Sequence, residues 1–152
     1  MASLALGWLL LGGPGCALHT SRTGLVASAE GRTELQEPGG RTWRIGRGGE
    51  GEVVAGLDGC ELRVEGSRLG RRLTVRAWEV RSAPGGGQPF VGRLSLFGSN
   101  WLIDDHSTGR KVIVDISGHE ELATHEGSVV LVVGYVVGAQ TVRPVLWRVV
   151  AP

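Results

Sequence analysis

The chain is one unit written twice. Gly59, Val64, Gly66 and Gly70 recur 68 positions later as Gly127, Val132, Gly134 and Gly138, and Trp78 recurs 69 positions later as Trp147. One extra residue therefore lies between Gly138 and Trp147. The matched stretches, residues 59–81 and 127–150, are rich in β-branched residues and broken by glycine, a pattern of strand, sharp bend and strand. Each copy spans about 60 residues, near the lower limit for an independent core. Two copies packed together are therefore expected to be more stable than either alone.

Within the first copy, residues 24–31 and 33–36 read as strands, closed by a tight turn at Pro38-Gly39, since Pro presets φ and Gly accepts positive φ. Residues 42–45 form a third strand and 52–57 one helical turn. Residues 59–66 and 71–81 are the fourth and fifth strands. Residues 82–89, Ser-Ala-Pro-Gly-Gly-Gly-Gln-Pro, have linker composition. The second copy repeats the order: strands at 90–97, 100–104 and 110–116, a helical segment at 119–125, then two closing strands. Gly92 matches Gly24, and Ala123 matches Ala55, at the same spacing of 68.

Five short strands with a helical segment between the third and fourth resemble the OB-fold, a five-stranded, partly open Greek-key barrel. The second copy carries the resemblance in Val91-Gly92-Arg93-Leu94, Leu102-Ile103-Asp104-Asp105, Val112-Ile113-Val114 and residues 127–134. The expected fold is all-β: two tandem five-stranded OB-like barrels, each with a short helical segment between strands three and four. The expected divisions are a leader at 1–16, a first repeat at 17–82, a linker at 83–89 and a second repeat at 90–152. The alternative is a single larger barrel or sandwich of ten strands.

The copies differ in one informative way. Strand four of the first copy alternates, with Cys60, Leu62 and Val64 inward and Glu61, Arg63 and Glu65 outward. In the second copy the outward positions are Val129, Leu131 and Val133. A strand apolar on both faces is normally covered on both, so this one is expected to lie against the first copy or another subunit. Pro144 interrupts strand five of the second copy, which predicts an edge or a bulge there, with the extra residue as its source.

Residues 1–15 carry no charged side chain, and residues 4–11 are an apolar run broken only by Gly7. The run fits the apolar region of a secretory signal and is too short to span a bilayer. Gly15-Cys16 resembles the end of a bacterial lipoprotein signal, which implies lipid attachment at Cys16, export, and a place in the periplasm or on the membrane. An ordinary cleaved signal and an apolar N-terminal strand are the other readings. With Cys16 lipidated, Cys60 has no disulfide partner and reads as a small buried apolar residue.

Charge excludes a strongly basic nucleic-acid binder. The 16 basic residues face 15 acidic ones, and Lys111 is the sole Lys. A bias to Arg, with 26 Gly, fits a GC-rich genome. Neither copy has the positive excess of a backbone-phosphate binder. His119 and His125 stand six apart and diverge around a helix, so they are not a metal pair. Asp104-Asp105-His106 reads as turn chemistry before catalysis. Nucleophile-elbow and phosphate-loop motifs are missing from the sequence. No enzyme activity, cofactor or metal is therefore expected. Arg63, Arg68, Arg71, Arg72 and Arg76 cluster on the hairpin of strands four and five, a loop that lines ligand grooves on OB-folds, and are the candidate anion contacts. Trp43 and Trp101 are candidate surface platforms or half-buried strand residues; Trp78 and Trp147 are core. The expected role is a non-enzymatic exported protein that binds a protein or envelope component. The alternative is an OB-type single-stranded nucleic-acid binder, disfavoured by the expected export.

Overall fold

The computed structural model describes residues 18–152. The first repeat contains β1 (Leu18–Ala29), β2 (Arg32–Gln36), β3 (Thr42–Ile45), α1 (Glu50–Ala55), β4 (Glu61–Leu69) and β5 (Arg72–Ser82). The second contains β6 (Gln88–Phe97), β7 (Asn100–Asp105), β8 (Lys111–Val114), a 3-10 turn (Glu120–His125), β9 (Val129–Val136) and β10 (Thr141–Ala151). The fold is all-β, as the repeat implied. Each set of five strands closes separately, in the order β1-β2-β3-β5-β4 and its equivalent β6-β7-β8-β10-β9. One parallel pairing closes each ring, β3 with β5 and β8 with β10.

β1 begins earlier than its composition suggests because it serves two neighbours. Its first part, Leu18 to Leu25, pairs with β4, and its last part, Leu25 to Ala29, pairs with β2. Gly24 sits beside the switch, where a Cβ would stand 2.7 Å from the carbonyl carbon of Gln36. Gly92 plays the same part in β6, with Asp104 as the obstructing neighbour at 2.6 Å. Gly66 and Gly134 likewise let a facing strand approach, Thr74 in one barrel and Arg143 in the other. The recurring glycines thus mark backbone contacts that a side chain would break.

A bulge does occur beside Pro144, but the extra residue is not its source. The β9–β10 register passes from Val133↔Leu146 to Gly134↔Pro144, leaving Val145 over. The β4–β5 register passes from Glu65↔Ala77 to Gly66↔Val75, leaving Arg76 over in the same place. Both repeats carry the bulge. The extra residue instead lengthens the hairpin turn: Gly70 and Arg71 connect the first hairpin, whereas Val137 N–H bonds Thr141 O at 2.8 Å around Gly138, Ala139 and Gln140. Pro144 lies beyond Val142, where β8 stops pairing with β10, so no ladder donor is lost on that side.

Two cores result. Leu35, Val54, Leu57, Leu62, Val64 and Leu73 are fully buried in the first; Leu94, Ile103, Leu122, Val130 and Val132 in the second. The outward face of β9 joins the first core rather than solvent. Leu131 and Val133 are completely buried, and with Val91 they belong to the cluster around Cys60 and Trp78. Each such side chain contributes about 1.5–3 kcal/mol. Val150 of β10 packs at Gly56 beyond α1, and Arg148 Nη2 donates to Asp58 O at 2.5 Å. The short connection from Ser82 to Gln88 therefore joins two barrels that share an apolar contact.

Candidate functional site

A concavity of about 730 Å³ opens at one end of the first barrel. The β1–β2 turn forms one wall, with Glu30 and Gly31 at φ 51° and 71°. This left-handed geometry aims the chain back sharply and delivers Arg32 at the start of β2. Arg44 comes from β3. Arg72 comes from the first position of β5 and is its register partner in the parallel pairing. Arg47 follows β3, and its Nη2 donates to Gly31 O at 2.5 Å, tying the turn to the opposite wall. Glu30 and Glu52 also line the cleft. Among the described residues, the guanidinium groups of Arg32, Arg44, Arg47 and Arg72 pair with no carboxylate, whereas Arg22, Arg63, Arg81, Lys111 and Arg143 all do. Four exposed cations around one concavity favour an anion, because guanidinium groups bind carboxylate and phosphate oxygens through paired donors.

The hairpin arginines are not brought to one cleft. Only Arg72 lines the cleft. Arg63 lies on the outer face of β4, where Nη2 meets Glu65 at 3.2 Å and Nε donates to Ser21 Oγ at 3.3 Å. Arg68 points at Trp43, 5.9 Å from its ring centroid. Arg71 occupies the exposed turn, its carbonyl accepting the Arg44 N–H at 2.8 Å, and Arg76 is the exposed bulge residue. Arg32, Arg44 and Arg47 were missed because they lie away from the hairpin, at the start of β2, within β3 and just after it. The signal for Arg44 was topological: β3–β5 pairing sets it beside Arg72.

Trp43 is not a platform. It is buried, with Arg22, Arg41 and Arg68 at 4.7, 5.9 and 5.9 Å from its centroid. Trp101 is half-buried against the second core. Trp78 is buried and donates from Nε1 to Glu50 Oε2 at 2.6 Å. Asp105 is turn chemistry: Oδ1 accepts the Val91 N–H at 3.3 Å, and Oδ2 accepts Ser107 Oγ at 2.7 Å and Thr108 N–H at 3.1 Å. Asp104 faces Lys111 at 3.7 Å on the exposed side. Ser117 and Arg143 hold the Asp115 carboxyl below its ordinary range through hydrogen bonds. His119 lies 4.0 Å from Glu121, while His125 tilts against Trp147. Among the described residues no cluster of His, Cys, Asp or Glu could hold a metal, and no helix is long and apolar enough to cross a membrane. Cys16 and the leader at 1–16 lie outside the described residues.

No protein-family model, curated protein or solved structure matches the chain.

Proposed function

We propose that the chain is a non-enzymatic binding protein of the bacterial envelope, and that its first barrel takes an anionic group in the cleft of Arg32, Arg44, Arg47 and Arg72. The observation that carries this reading is the convergence of four carboxylate-free guanidinium groups on one concavity. The cleft adjoins the β1–β2 turn, a loop from which OB-folds bind ligands. The leader supports export, with lipid on Cys16 holding the barrels at a membrane surface and an envelope component as partner. Single-stranded nucleic acid is the weaker fit, because it calls for aromatic stacking surfaces and no aromatic side chain lines the cleft.

The test is a calorimetric titration at low salt with inorganic tripolyphosphate and, separately, with an oligo-thymidylate. Tripolyphosphate is expected to bind the full chain. The double substitution Arg44→Ala, Arg72→Ala is expected to weaken it by about tenfold or more, whereas Arg63→Ala leaves it unchanged. Absence of tripolyphosphate binding overturns the anion reading. Oligo-thymidylate binding that outcompetes tripolyphosphate replaces it with the nucleic-acid reading. The intact mass of protein recovered from native membranes tests the address: cleavage before Cys16 with added acyl chains is expected, and an unmodified chain beginning at Met1 contradicts it.

A further inference from the structure

The two barrels treat one end of their interior differently. In the first, the Trp43 indole fills that end, flanked by Arg22, Arg41 and Arg68. The ladder registers identify the counterparts. Leu35↔Trp43 corresponds to Ile103↔Val112, and Arg22↔Val64 to Phe90↔Val132. Likewise Arg68↔Leu73 corresponds to Val136↔Val142. The Glu37 N–H to Arg41 O bond corresponds to that from Asp105 N–H to Arg110 O, both 2.8 Å. So Val112 stands where Trp43 stands, and Arg110 where Arg41 stands. The second barrel has a pocket of about 220 Å³ there, lined by Phe90, Val112, Val136 and Val142, with Arg110 and Lys111 at the rim.

We infer that this pocket binds an aromatic ring bearing a carboxylate. The first barrel is the template: the same position in the same scaffold holds an indole among guanidinium groups. An apolar cavity of about 150 Å³ accepts benzene, so this space accommodates a ring of that order. Its floor is apolar, with Phe90, Val112 and Val142 buried. Its rim is cationic. Arg110 pairs with no carboxylate among the described residues, and the pairing of Lys111 with Asp104, at 3.7 Å between two largely exposed groups, is weak. Ring burial supplies affinity, and Arg110 supplies the preference for an anion over a neutral ring. This site is separate from the arginine cleft and does not depend on it.

The experiment is an amide chemical-shift titration of the full chain with 3-indolepropionate, using 3-methylindole as the neutral control. Saturable shifts are expected at Phe90, Val112, Val136 and Val142. Arg110→Ala is expected to weaken indolepropionate by about tenfold while sparing 3-methylindole. Val112→Trp fills the pocket from within; it is expected to abolish the shifts and leave the protein folded, as Trp43 does in the first barrel. The inference fails if the wild-type chain shows no saturable shifts in the pocket up to the solubility of the probe. It also fails if Val112→Trp folds and still binds, or if Arg110→Ala does not change the preference for the anion.

Discussion

His106 of the second barrel lies flat on Trp78 of the first, with ring centroids 4.1 Å apart and planes within 6° of parallel. At its edge the Trp78 indole N–H donates to Glu50. The stack joins the β7–β8 turn to β5, so it reports directly on barrel contact. Such pairs are worth about 0.5–1.5 kcal/mol beyond their buried area. His106→Ala is expected to cost about that much, lowering Tm by a few degrees, since 1 kcal/mol moves a chain of this size by about 2–4 °C. Trp78 fluorescence should shift in the same variant. An unchanged Tm with an unchanged spectrum would show that the barrels do not meet here in solution.

Charge placed on the two equivalent strands gives a sharper contrast. Leu131 is completely buried between the barrels, while Arg63, at the corresponding position of β4, is exposed. Leu131→Glu would bury a carboxylate with no partner, at a cost of several kcal/mol. Loss of the cooperative transition, or separation of the barrels seen as a larger hydrodynamic radius, is expected. Arg63→Glu removes an exposed pairing with Glu65 and an exposed hydrogen bond to Ser21, and is expected to change stability by less than about 1 kcal/mol. Equal small effects of both on thermal unfolding would contradict a covered β9 face.

The same strand shows what the sequence could convey. Apolarity on both faces of β9 announced its burial, because alternation reports how many sides of a strand meet water. The glycines at 24, 66, 92 and 134 were legible for a related reason: a close backbone approach must be repeated wherever the unit is repeated. The arginine cleft was not legible. Its residues come from the β1–β2 turn, β3, the segment after β3 and the start of β5, and only barrel closure brings them together. Neighbours in sequence misled, since Arg68, Arg71, Arg72 and Arg76 leave one hairpin in different directions, across a turn and a bulge. Trp43 misled as well. Its exposure depended on Arg22 and Arg68, whose positions follow from the register of β1 and β4 rather than from any local pattern.

Cys60 connects the interface to a chemical readout. It is fully buried beside β9, and Arg148 Nη2 of the second barrel lies 3.7 Å from its Sγ. Burial pushes the thiol above its ordinary value, and the Arg148 guanidinium offsets only part of that rise. The folded state therefore holds the thiol proton more tightly than the unfolded chain does. The stability linked to this group is fully present below the unfolded pKa and declines as pH rises through it, from about pH 8.5 upward. Because the thiolate is the reactive form, native protein at pH 8 should react with iodoacetamide at Cys60 far more slowly than urea-unfolded protein, about 100-fold or more if opening is global. Mass spectrometry of the peptide containing Cys60 separates its labelling from that of Cys16. In Leu131→Glu, labelling of Cys60 should accelerate if the barrels have parted. Native labelling as fast as in urea would place Cys60 outside the core and contradict the packing of β4 against β9.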